Sequence, residues 1–296
     1  MLLPTGTQVV TRTPTPAHPA GSVGVVESAP LDPTHAYRVR FTDGSVASFK
    51  RDELVVLRQF QRESAGVTDF PTIDADFRQY IIFRCVVGSQ AYGLAGPGSD
   101  FDRRGIYLPP ADLHWSLAGV PEQLDEDATQ ETYWELQKFL VLALKANPNV
   151  LECLYSPLVE HATDLARELL AMRASFLSKI VYQTYNGYVL SQFKKLSGDL
   201  RNKGEVKWKH VMHLIRLLLA GVAVLRTGEV PVRVQDPHRA KLLAIRNGHT
   251  TWDEVDRWRL ALHDEFDAAF RATSLPDRPD YARVNAFLIR ARRSAV

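Results

Sequence analysis

Two aspartates one residue apart, Asp100 and Asp102, follow a Gly-Ser pair, Gly88 and Ser89, with ten residues between. On an extended strand, side chains at i and i+2 share a face, so both carboxylates project together. Two hard oxygen ligands side by side suit Mg²⁺, which takes few carboxylates plus substrate phosphates, with Mn²⁺ as the alternative ion. The run YIIFRCVV at 80–87 reads as a buried strand opening into the Gly88-Ser89 turn. There glycine permits close backbone approach, and the serine hydroxyl and nearby N–H groups can hold phosphate oxygens. The chemistry that follows is phosphoryl or nucleotidyl transfer. In it, metal ions neutralise phosphate charge, acidify the attacking hydroxyl and steady the leaving pyrophosphate. A lone Asp-x-Asp is more often a turn or a helix cap. The ordered series of strand, Gly-Ser, ten residues and Asp-x-Asp is far more specific.

The elements that must position these residues suggest an α+β chain in three parts. Residues 1–58 hold short β-like runs at 22–26, 36–41 and 45–49, with Asp43-Gly44 as a hairpin turn. They suggest a small SH3-like β-barrel, for docking or for RNA. A polar linker is expected at 59–71. Residues 72–158 form the catalytic domain, an α/β core with a mixed sheet. It has a helix at 73–79, strands at 80–87, 100–108 and 128–133, and a helix at 134–146. Residues 159–296 form a helical domain, with helices near 163–177, 180–196, 206–226, 238–246, 252–273 and 281–293. Stops are expected at Gly198, Gly228, Gly248 and Pro276, and Thr251 with Glu254 makes a capping box.

Composition restrains the partners. The net charge of +2 is too balanced to announce a nucleic-acid binder. The clusters Lys194, Lys195, Arg201, Lys203, Lys207, Lys209 and Arg290, Arg292, Arg293 read first as solvated helix faces. The apolar run at 211–225 is interrupted by His213 and Arg216, and the N-terminus lacks signal-peptide character. No membrane is expected, and the expected location is cytoplasmic. Cys85 and Cys153 sit in apolar stretches and suggest neither a disulfide framework nor a zinc site.

GSQAYGLAGPGSDFDRRGIYLPP at 88–110 and ELQKFLVLALKANPNVLECLYSP at 135–157 resemble the RNA repair pathway DNA polymerase β family, within the polymerase β superfamily of nucleotidyltransferases. The resemblance extends over roughly 80–296 and includes KHVMHLIR at 209–216; the barrel-like region lies outside it. It implies a nucleotidyltransferase fold with a helical C-terminal domain, use of NTP and Mg²⁺, and a role at RNA ends. It also implies an acidic residue on the strand before Tyr133-Trp134-Glu135-Leu136. Glu131 is the nearest match, Asp127 comes second and Asp125 third, whereas Glu135 reads as a first-turn helix charge.

On the helix at 206–226, Lys209, His213 and Arg216 fall in one stripe. They either bind a triphosphate across the cleft or, for Arg216, form an internal ion pair with a neighbouring carboxylate; the phosphate reading is preferred. Tyr188, Gln192 and Lys195 make a second stripe, open between both roles. His210 reads as a neighbour rather than a ligand. Arg104 either touches substrate or pairs with acidic residues, and Tyr92 either stacks on a base or packs a loop. Asn147-Pro148-Asn149 reads as architecture. The leading function is transfer of an NMP from an NTP to an acceptor hydroxyl, with RNA 3′ ends preferred. Nucleotidylation of a partner protein and a degenerate NTP- or RNA-binding protein are the alternatives.

Overall fold

A computed structural model describes residues 3–30, 35–64, 76–203 and 206–295. Two compact units divide the chain, Met1–Ala75 with Ser116–Ala118, and Asp76–Trp115 with Gly119–Val296.

In the first unit, β1 (Gln8–Thr11), β2 (Val23–Ser28), β3 (Tyr37–Phe41), β4 (Val46–Phe49) and β5 (Leu54–Val56) precede α1 (Leu57–Ser64). The strands form an antiparallel sheet in the order β4-β3-β2-β1-β5. Strand alternation buries Val26, Tyr37, Val39, Phe41 and Phe49 on one face. The Asp43-Gly44 turn forms as expected, with Gly44 at φ +83° and the Asp43 carboxylate accepting from the Ser45 N–H. The closed SH3-like barrel does not form. β4 and β5 stand at opposite edges with no pairing between them among the described residues, and β5 runs directly into α1. α1 also takes the first part of the expected linker, the rest of which lies outside the described residues.

The second unit opens with a 3₁₀ turn, Phe77–Tyr80, in place of the described part of the helix expected at 73–79. Then come β6 (Ile81–Val87), α2 (Gly88–Tyr92), β7 (Asp102–Tyr107), α3 (Ala111–Trp115), β8 (Gln123–Glu126), β9 (Glu131–Glu135), α4 (Leu136–Leu144), α5 (Pro148–Tyr155) and β10 (Val159–Ala162). The sheet order is β10-β6-β7-β9-β8, with β7 and β9 parallel and the other neighbours antiparallel. Gly105 in β7 is obligatory: a Cβ there would stand 2.1 Å from the Phe83 carbonyl oxygen and 2.8 Å from the Tyr133 ring.

α6 (Asp164–Ala171), α7 (Ile180–Lys203), α8 (Trp208–Thr227), α9 (His238–Arg246), α10 (Trp252–Ala272) and α11 (Tyr281–Ser294) complete the chain. α7 passes through Gly198 instead of stopping there. A helical glycine costs only about 1 kcal/mol relative to alanine, and Phe193 and Leu196 are buried just before it. Gly228 ends α8 at φ +71°, and Thr251 with Glu254 caps α10 as expected. α8 has the length and apolar composition of a membrane-crossing segment, although His213 and Arg216 interrupt its apolar run. Most of it is buried within the unit, packed on α7, α9 and α10. One core runs from Phe83, Cys85 and Ile106 of the sheet through Leu151 and Ile215 to Phe266 and Phe287, without a break near residue 158.

Candidate active site

The apolar β6 delivers the chain to Gly88, whose φ of +70° is a left-handed conformation. A Cβ on Gly88 would lie 2.5 Å from Oδ2 of Asp102, so the bare glycine is what lets the turn sit against that carboxylate. Asp102 opens β7 opposite Val87, and Asp100 lies exposed two residues before the strand. Neither carboxylate has a hydrogen-bond or ion-pair partner among the described residues. The adjacent arginines do not neutralise them. Arg103 Nε donates to Glu160 at 2.9 Å, and Arg104 Nη1 donates to the carbonyls of Arg103 and Gln130. Arg104 is thus held by backbone. Carboxylates with no internal cation are donors of the kind a hard divalent ion takes. The hydroxyl of Ser89, the second residue of α2, is likewise unpaired among the described residues.

For Gly88→Ala, the left-handed backbone and the Asp102 contact both act, and a stability loss of about 1–2 kcal/mol in thermal denaturation is expected.

Glu131 does not join this pair. It stands opposite Arg103 in the β7–β9 ladder, so it shares the face of Arg103 and not that of Asp102. Its Oε2 accepts from the Tyr133 hydroxyl at 2.6 Å, and Arg103 lies 3.9 Å from its Oε1. The expected strand at 128–133 begins only at Glu131. Residues 127–130 form a turn with Gln130 at φ +55°, so Asp127 lies outside the strand that carries Glu131. Asp125 opposes Thr132, and hence lies on the Asp102 face, but one strand further out, where it accepts from Thr132 and Gln123. Glu135 is the N-cap of α4 and pairs with Arg292. Among the described residues no group of three His, Cys, Asp or Glu side chains is placed to hold a metal.

The predicted basic stripe does converge on a cavity of about 530 Å³ lined by Lys207, Lys209, His210, His213 and Arg216 of the α8 region, with Tyr92, Asn147, Asn149 and Tyr188 facing them. No acidic residue lines it, and neither Lys207 nor Lys209 has an acidic partner among the described residues. Arg216 corrects the expected phosphate role. It is only 6% exposed, its Nη1 lies 2.8 Å from Glu152 Oε1, and its guanidinium stacks 3.7 Å over the Tyr92 ring. The Tyr92 hydroxyl donates to the other Glu152 oxygen at 2.6 Å. The arginine therefore braces α2 against α5 and α8, and its charge is already matched. Sequence reasoning missed Glu152, although a lone carboxylate in the apolar run NVLECLY is the natural partner of a lone arginine in LIRLLLA. It also missed that Asn147 and Asn149 line this cavity while Asn147 caps α5. Of the second stripe, Tyr188 alone reaches the lining.

Burial first, then the positive charges of Arg216 and Lys209, push His213 down to about 4 from an ordinary 6.5. The ring is therefore neutral near pH 7 and offers a hydrogen bond, not charge. The unfolded chain binds this proton more readily than the folded one. Stability from the neutral ring is thus complete above 6.5 and lost as pH falls toward about 4. Denaturant titrations should show wild-type stability falling by up to about 1.4 kcal/mol per pH unit from this group in that window. A His213→Gln variant should show a correspondingly flatter profile.

A strand runs into Gly-Ser and a short helix, and an antiparallel strand entered through Asp-x-Asp lies beside a parallel neighbour. The chain belongs to the RNA repair pathway DNA polymerase beta family, whose model matches residues 56–290. It is similar to the uncharacterized protein YcgL of Bacillus subtilis (strain 168), with 26% identity over 168 residues, 56% of this chain and 64% of that protein. It is also similar to the uncharacterized protein MJ0002 of Methanocaldococcus jannaschii, with 24% identity over 160 residues, 52% of this chain and 63% of that protein. The chain thus spans less than two thirds of either relative. β1 to β4 precede the family match.

Proposed function

We propose that this chain transfers a nucleoside monophosphate from an NTP to an acceptor hydroxyl, with an RNA 3′ end as the acceptor. The observation that carries the reading is the uncompensated Asp102 carboxylate set against Gly88, with Asp100, also without a partner among the described residues, two positions before it. These two carboxylates would hold Mg²⁺, or Mn²⁺ in its place. When bound there, the ion supplies charge neutralisation at the phosphates and acidification of the attacking hydroxyl. The residues around it do the rest. Gly88 leaves room beside Asp102, and the Ser89 hydroxyl and turn N–H groups orient phosphate oxygens. Lys207 and Lys209 attract the remaining phosphate charge into their cavity, and neutral His213 adds a hydrogen bond there. The bracing of Tyr92 by Arg216 and Glu152 keeps α2 in place.

The test is incubation with labelled NTPs, Mg²⁺ and a panel of RNAs. Labelled RNA 3′ ends are expected, and Lys209→Ala should raise KM for NTP about tenfold with a smaller effect on kcat. Label on protein, with none on any RNA, would sink the RNA acceptor and favour protein nucleotidylation. A second reading has one observation behind it, since Glu131 faces away from Asp102. In that reading the chain binds NTP without turning it over, and Asp100→Asn and Asp102→Asn would leave its function unchanged.

A further inference from the structure

Further along α8, toward its C-terminus, lies a second cavity of about 620 Å³, walled by α8, α10 and the segment leading into α9. Its volume is in the range of small-molecule sites, and its walls mix apolar residues of α8 and α10 with polar and charged groups. The indole of Trp258 forms part of the wall. The His238 ring, which also lines the cavity, lies within 19° of parallel to it at 6.1 Å between centroids. Two near-parallel π surfaces at a cavity wall are a stacking platform for a flat heteroaromatic ring.

The charges at this cavity are unequal in kind, and Asp236, which also lines it, has no ion pair or hydrogen bond among the described residues. Arg226 is matched by Glu265 at 3.1 Å, and Arg216, which lines this cavity as well as the first, is matched by Glu152. Arg233 is exposed and has neither an ion pair nor a hydrogen bond among the described residues. A single free guanidinium beside an aromatic wall suits one phosphate attached to one base. Arg233 also reaches to within 3.5 Å of where a Cβ on Gly93 would be, at the end of α2, the helix that begins at Gly88.

We propose that this cavity is a second nucleotide-binding site, taking a base against Trp258 and His238 and its phosphate at Arg233. The ligand is a nucleoside monophosphate unit, either free or as one residue of a single-stranded RNA. The site does not depend on the transfer reading, because it needs neither Asp100 nor Asp102.

The test measures fluorescence anisotropy of a labelled nucleoside monophosphate and of a labelled short single-stranded oligoribonucleotide. It is made without divalent metal, on the full chain and on three variants, Arg233→Glu, Trp258→Leu and Lys209→Ala. Arg233 is exposed, so its substitution keeps the proposal testable if Trp258→Leu loosens the fold. Weakening of at least about tenfold in Arg233→Glu is expected, as loss of a stacked or charge-paired contact typically gives. Trp258→Leu should act in the same direction. Loss for the mononucleotide identifies a free nucleotide as the ligand, and loss for the oligonucleotide alone identifies a residue of a strand. Unchanged binding of both ligands in Arg233→Glu, or loss confined to Lys209→Ala, would overturn the site while leaving the transfer reading intact.

Discussion

Asp102→Asn should reduce nucleotidyl transfer by about 10³-fold, roughly 4 kcal/mol of transition-state stabilisation, with a Tm close to wild type. The substitution keeps the side-chain shape against Gly88 and removes one of the two carboxylates that no internal cation balances. Asp100→Asn should follow it. Glu131→Gln provides the contrast, since its carboxylate faces Arg103 and Tyr133 on the other side of the sheet. It should change kcat by less than about threefold, within the effect of a remote polar substitution. Single-turnover transfer with saturating NTP reads all three. A collapse of activity in Glu131→Gln equal to that in Asp102→Asn would show that the sheet register gives the wrong ligand set.

Arg216→Ala should destabilise the protein by about 3–5 kcal/mol in chemical denaturation, the cost of leaving a buried carboxylate without its partner. Glu152 is only 2% exposed, and the Tyr92 hydroxyl alone cannot balance its charge. Replacing both members with apolar groups, Arg216→Met with Glu152→Leu, should recover much of that loss, because no buried charge is then stranded. The double variant should still transfer more slowly than wild type, since Tyr92 at the end of α2 loses both its stacked guanidinium and its carboxylate acceptor. A phosphate-binding Arg216 predicts the reverse pattern, with a large rise in KM for NTP and little change in stability.

Much of the site was legible in residue order. Gly-Ser at the end of an apolar run and Asp-x-Asp ten residues later are local features. Strand geometry orients Asp102, which opens β7, whereas Asp100 lies two residues before the strand and outside that alternation. The helix limits from His238 onward were legible for the same reason, because caps such as Thr251 with Glu254 and periodic apolar residues act within a few positions. β1, β5, β8 and β10 were not, being short edge or near-edge runs whose pairing comes from partners distant in sequence.

What the sequence by itself determined is therefore the strand running into Gly88-Ser89 and the place of Asp102 at the start of the next core strand, β7. The tertiary structure alone decided which further side chains can reach them. One residue of register between β7 and β9 turns Glu131 to the opposite face, because side chains alternate along a strand with period two. Burial of α8 against α5 matches Arg216 with Glu152 and removes it from phosphate recognition, because a charge taken from water is held by the nearest opposite charge. Both outcomes depend on neighbours that the local sequence does not contain.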